Sequence, residues 1–227
     1  MKNVLKFGMT AVGLLLILIG VAAIVAYTQV DRFGYPLMAD ALSEAFGQDV
    51  SIVAIRFAPM RQSLIIEGMS VANPPAFKDG DAIQCDNVEV FLDPKTMFAQ
   101  TPVIRKLQIE GADFYYRHEL NDGINITQIM RNAEAARENK RLFYVKELVA
   151  ENAEVHFSTN LVPIGQVGLN VVNVHLKDLA EGNALGAGKV VSVFLRSVIV
   201  ETLTLKGLLN PLIAPLRRAL NPDAEDL

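Results

Sequence analysis

The sequence predicts an α+β, mainly β protein: an N-terminal transmembrane helix followed by an elongated, curved, antiparallel-type sheet with short helices and a C-terminal amphipathic helix. Three observations predict it. Residues 7–27 form a long uncharged, almost wholly apolar run, short alternating β-branched runs fill the middle of the chain, and two similar two-strand units stand 41 positions apart, as from 103 to 144.

Of the 227 residues, 51% are hydrophobic and 20% charged, with a net charge of -4, which excludes a disordered chain and a basic nucleic-acid-binding surface. Cys85 is the single cysteine, so neither an intrachain disulfide nor a cysteine zinc cage can form within one chain.

Apart from Thr10, residues 7–27 are apolar or glycine. At about 1.5 Å per residue they would reach roughly 31 Å, enough to cross a hydrocarbon core. Lys2 and Lys6 precede the run while Asp31 and Arg32 offset each other after it, so the positive-inside bias keeps the N-terminus cytoplasmic and exports the body. A cleaved signal peptide is the other reading, but its apolar core is shorter and Ile24-Val25-Ala26 is a poor cleavage site. Tyr27 and Phe33 suit the interface beyond the span.

Leu37, Ala41, Leu42, Ala45 and Phe46 recur at helical spacing and Gly47 follows, which predicts a juxtamembrane helix over 36–46. The period then shortens. Val50, Ile52 and Phe57, then Leu64, Ile66, Met69 and Val71, read as strands with turns at Ala58-Pro59 and Asn73-Pro74-Pro75. Further strands are expected over 82–92, 103–109 and 112–117. Leu107, Ala112, Phe114 and Tyr116 match Leu148, Ala153, Val155 and Phe157, so one two-strand unit is used twice, as in elongated repeat-built sheets. Between the copies, residues 126–140 read as a helix with Ile126, Ile129, Met130 and Ala133 on one face and a solvated charge run on the rest. A last helix is expected over 188–205, ended by Gly207, and the apolar 208–220 is too short and Pro-broken to span a bilayer. The organisation is thus a cytoplasmic stub and anchor at 1–30, a juxtamembrane helix at 31–48, a β domain at 49–180 and a helical segment and tail at 181–227.

Catalytic chemistry is not indicated, and the chain is expected not to be an enzyme. His118, His156 and His175 lie in or beside strands without metal-ligand spacing, and no serine sits in a nucleophile elbow. Gly186-Ala187-Gly188-Lys189 lacks the spacing of a phosphate loop and reads as the entrance to the last helix. Asp79, Asp81 and Asp86 read as solvated turn acids. No cofactor and no metal site are predicted. What remains is a surplus of large apolar strand residues, suited to lipid or to another protein. Ile66, Val90, Leu92, Phe114 and Val155 are the candidates to line an apolar groove.

The order of motifs carries a resemblance. After the apolar run come Ala41-Leu-Ser-Glu-Ala-Phe-Gly47-Gln-Asp-Val50, Gly68-Met-Ser-Val71-Ala-Asn73-Pro74, Val90-Phe-Leu-Asp93-Pro94 and Gly123-Ile-Asn125-Ile126. Over about residues 1–176 the chain resembles the AsmA-like family of bacterial envelope proteins, as a short member. The resemblance implies inner-membrane anchoring, a periplasmic folded-over sheet with an apolar groove, and movement of phospholipid toward the outer membrane. Some eight strands at about 4.8 Å spacing would extend only about 40 Å, so this chain would not bridge a periplasm alone. The expected partners are membrane lipid and another envelope protein or copies of itself, with no nucleic acid. The alternative is a non-catalytic structural or interaction subunit of an inner-membrane complex.

Overall fold

The computed structural model describes residues 35–77, 80–119, 122–136, 142–159, 167–171, 174–179 and 182–204. The apolar run at 7–27, Phe33, the end of the 126–140 charge run and residues 205–220 lie outside the described residues. Among the described residues, no helix is long and apolar enough to cross a membrane.

The chain is mainly β. One open sheet holds β1 (Val50–Ser51), β2 (Ala54–Ala58), β3 (Ser63–Ala72), β4 (Asp81–Leu92), β5 (Val103–Glu119), β6 (Gly123–Ile124), β7 (Tyr144–Val145), β8 (Glu147–Glu151), β9 (Ala153–Thr159), β10 (Val167–Val171) and β11 (Val174–Lys177). Three helices accompany it: α1 (Tyr35–Phe46), α2 (Asn125–Ala135) and α3 (Ala187–Thr204).

The order across the sheet is β1/β2, β3, β4, β5, β7/β8/β9, then β11/β10. Every ladder is antiparallel except those joining β5 to β7, β8 and β9, which are parallel. The sheet is therefore mixed, which corrects the expectation of an antiparallel type. The reason lies in the connection: β6 and α2 carry the chain back across the sheet, so the second unit starts at the same end as the first. The pairings Val103 with Tyr144, Leu107 with Leu148, Phe114 with Val155 and Tyr116 with Phe157 all stand 41 positions apart. Equivalent residues of the internal repeat are direct neighbours.

The alternation of apolar residues slips by one position in each long strand, and the slips fall in one row. Leu64 and Ile66 give way to Met69 and Val71, Ile83 and Cys85 to Val88 and Val90, Leu107 and Ile109 to Ala112 and Phe114, and Leu148 and Ala150 to Ala153 and Val155. At the slips stand Gly68, Asp86, Gly111 and Asn152, and Gly68, Gly111 and Asn152 have left-handed backbone with φ of 59°, 59° and 54°. The ladder register is identical on either side of the row between β3 and β4, β4 and β5, and β5 and β8/β9. An extra residue in one strand alone would turn its apolar side chains outward; placed opposite one another, the extra residues keep every strand facing the same way. The expected breaks between 109 and 112 thus become a slip inside one continuous strand, β5, of 17 residues.

On the far side of the row the helices close over the sheet. Phe114, Ile83, Val71 and Val155 are fully buried there with Ile126, Ile129, Leu195, Val198 and Ile199. The Phe114 and Phe194 rings lie 6.0 Å apart and those of Tyr116 and Phe157 5.2 Å. α1 runs over 35–46 and stops at Gly47, whose φ is 61° and whose Cβ, were there one, would stand 2.7 Å from Cβ of Asn132 on α2. α2 ends at Ala135, short of 140: its buried positions end at Ala133, and Ala136 is already extended, with φ -54° and ψ 129°. α3 begins at Ala187, and Lys189 pairs with Glu134 rather than marking a phosphate loop.

Asn125 ties the crossover to the sheet. Its amide nitrogen donates to Oδ1 of Asn73 and to the carbonyl of Tyr115, both at 2.7 Å, while its oxygen accepts from the backbone of Arg117 and Ile126. Two of the sequence motifs, Asn73-Pro74 and Gly123-Ile-Asn125, thus meet in one buried clasp. Glu134 joins α2 to α3, accepting from Ser192 at 2.7 Å and pairing with Lys189 and Arg196. The Ser192 hydrogen bond, with the Lys189 and Arg196 charges, holds its carboxyl below the ordinary value against the opposing effect of burial.

Replacing Gly111 by Ala puts a Cβ 2.1 Å from Oδ2 of Asp86 at a left-handed φ, so a loss of about 1–3 kcal/mol is expected. Chemical denaturation of Gly111→Ala alone and with Asp86→Ala checks it: the second change recovers the steric part and not the backbone part. Because Glu134 has a depressed pKa, its contribution is complete above the unfolded value near 4.5 and is lost as pH falls through the folded one. Thermal melting against pH should therefore fall less steeply in acid for Glu134→Gln than for the wild type.

Candidate functional site

On the near side of the slip row the helices stand away from the sheet and leave a cavity of about 490 Å³, whose lining extends to Met69 and Ile83 just beyond the row. Apart from Asp93 and Cys85, every side chain that lines it is apolar. Its floor is a row of cross-strand partners, Leu64, Val90, Leu107 and Leu148, with Ile66, Val88 and Ile109 one row deeper. α1 supplies Met38 and Leu42, and α3 supplies Val190, Val191 and Phe194. Met97 and Pro102 stand where the β4–β5 connection borders it.

Local sequence explains the shape. Strand alternation sends these side chains to one face, and the floor residues Leu64, Val90 and Leu107 are only half-buried, unlike Val71, Ile83 and Phe114 beyond the row. A cavity of this size and composition falls in the range of small-ligand sites. It offers nothing to a polar or charged ligand except the Asp93 carboxylate at its edge.

Ile66, Val90 and Leu92 stand in the cavity wall. Phe114 and Val155 do not: both are 0% exposed in the core beyond the row, under α3 and beside the Tyr116–Phe157 pair. All five lie on the same face, and the position of the helices separates them. The helical contributors Met38, Leu42, Val190 and Phe194 were not among the sequence-derived candidates. Helical spacing such as that of Leu42 in α1 marks a buried face without telling what it meets.

Cys85 lies in the wall beside the slip row. Burial, with the Asp113 and Asp86 charges, pushes its thiol up to about 12, so it stays protonated and is a poor nucleophile.

The outer face is polar. His156 bonds Asp113 at 2.9 Å and stacks on Tyr115 at 4.9 Å, with Glu154 at 3.8 Å. The ligand atoms of Asp113, Glu154 and His156 all lie within 4.8 Å. The parallel register makes this cluster, pairing Asp113 with Glu154 and Tyr115 with His156, which is why no local spacing announced it. His175 bonds Glu147 at 2.6 Å on the same face, and Ser51 bonds Ser70. His156 with Asp113, His175 with Glu147 and Ser51 with Ser70 are thus hydrogen-bonded pairs.

An open, mainly β sheet, half closed by helices and half enclosing an apolar cavity, defines an α+β scaffold with a hydrocarbon-lined cavity. The sequence model of the AsmA family matches residues 1–190, and the chain belongs to that family. No curated protein matches it. Membership points to a role connected with the bacterial envelope.

In the folded protein at mildly alkaline pH, a thiol reagent should modify Cys85 more than about a hundredfold slower than in denaturant, as expected for a thiol kept protonated and enclosed. Mass spectrometry of timed samples measures this.

Proposed function

We propose that this chain is a membrane-anchored, periplasmic, non-catalytic module that binds phospholipid acyl chains in the cavity and supports lipid movement in envelope biogenesis. The observation that carries this reading is the cavity of about 490 Å³ with Asp93 as its one carboxylate. A hydrocarbon-walled cavity of this volume lies in the range of small-ligand sites and suits an acyl chain. Each buried methylene stabilises a complex by about 0.8 kcal/mol, so an acyl chain is retained while a polar headgroup stays at the Asp93 edge. The apolar run at 7–27 and its flanking charges support the anchor and the cytoplasmic N-terminus.

A second reading, a structural or interaction subunit, is favoured by one feature. The sheet is open, and β1/β2 on one side and β10/β11 on the other each pair on one side only among the described residues, leaving edges that another strand could extend.

Native mass spectrometry of the detergent-extracted chain separates the two. Wild type should carry about one phospholipid per chain. Val90→Glu and Leu92→Glu, both half-buried in the wall, should lose it while keeping the circular dichroism of the folded protein. Wild type free of lipid and bound to a stoichiometric protein would overturn the lipid reading.

A further inference from the structure

Two surface connections meet at the near end of the sheet. Gln62, at the base of the β2–β3 turn (59–62), is bonded to the strand residues that flank the β4–β5 connection (93–102): the backbone nitrogen of Leu92, the last residue of β4, donates to the Gln62 carbonyl at 2.9 Å. Arg105 donates through Nη2 to Oε1 of Gln62 at 2.9 Å and through Nε to the Leu92 carbonyl at 3.0 Å. At their tips stand Met60 and Phe98, 97% and 96% exposed, the two most exposed large apolar side chains among the described residues. Met97, next to Phe98, borders the cavity together with Leu92, Asp93 and Pro102.

The charges around the tips are mostly basic. Lys95 and Arg105 are exposed, and Arg61 is exposed too, paired to Glu89 at 3.0 Å and lying over the Phe91 ring. The Asp93 carboxylate accepts from the backbone nitrogen of Lys95. Large apolar side chains held bare at paired tips, with arginine and lysine behind them, suit the headgroup region of an anionic bilayer. The chain itself is placed to reach one. Seven residues separate Tyr27, the end of the apolar run, from Tyr35 at the start of α1, and seven extended residues span at most about 25 Å. Met38 and Leu42 of α1 line the same cavity that the 93–102 connection borders.

We propose that the Met60 turn and the Phe98 connection form a membrane-docking surface: both tips enter the lipid headgroup region, Arg61, Lys95 and Arg105 meet lipid phosphates, and the cavity opens toward the bilayer. This rests on the anchored, lipid-binding reading, and it names the surface through which lipid arrives.

The chain has no tryptophan, so Met60→Trp, Phe98→Trp and Val53→Trp each create a single probe. Val53 is exposed at the slip row, away from the tips, and serves as the control. The full chain is reconstituted in vesicles of phosphatidylethanolamine and phosphatidylglycerol, with acyl-brominated lipid in the quenching series, and flotation reports anchoring separately. Docking predicts blue-shifted emission and at least about twofold quenching at both tips, with no quenching at Val53. Unquenched tips in a chain that floats overturn docking and leave the cavity reading intact. Quenching at Phe98 alone, which a lipid lodged at the cavity edge would give, also overturns it. Quenched tips in a chain that carries no lipid by native mass spectrometry support docking and overturn the cavity reading, and a chain that fails to float overturns the anchor and docking with it.

Discussion

The fold depends on one constraint: a strand keeps its apolar side chains on one face only while it alternates, and here the alternation slips by one position. Had the slips fallen at different heights, each ladder would have lost its register or turned a strand inside out. They fall instead in a single row through Gly68, Asp86, Gly111 and Asn152, with pairing unchanged above and below. Extra residues of this kind bend strands and increase their twist, so a shared row divides the sheet into two halves. Three helices seal the far half around Phe114 and Val155, and in the near half Leu64, Val90 and Leu107 stay half-buried in the cavity floor. The cavity follows from that division.

The parallel alignment of the repeat is the second support. A 41-residue unit laid beside its copy places like residues next to like, so Leu107 packs beside Leu148 and Phe114 beside Val155 without new complementarity having to be specified. The crossover that permits this must be held down. Asn125 does so with four hydrogen bonds from a buried amide, a saturated group whose removal would withdraw a partner from each neighbour.

Much of this was legible in the sequence. Helices α1 and α3 were marked by 3–4 spacing, and Gly47 supplied the stop of α1; the repeat was visible in Leu107, Phe114 and Leu148, Val155. The direction of the repeat's pairing was not, because it depends on where β6 and α2 deliver the chain rather than on any strand's own pattern. The slips were visible at Ile66 and Met69 and at Cys85 and Val88, but only the ladders show that they line up. Ile66, Val90 and Leu92 differ from Phe114 and Val155 solely in which half the helices cover, a long-range fact that strand periodicity does not contain. The Asp113–Glu154–His156 cluster was hidden for the same reason.

The chain belongs to the AsmA family, and its sheet and helices enclose a cavity walled almost wholly by hydrocarbon, the feature on which the proposed lipid-binding role rests. The most direct test is photo-crosslinking of the vesicle-reconstituted chain with a phospholipid bearing a diazirine midway along one acyl chain, the adducts being mapped by peptide mass spectrometry. The account predicts adducts concentrated on Leu64, Val90, Leu107 and Val191. Adducts restricted to residues outside the cavity, at the same yield, would contradict it.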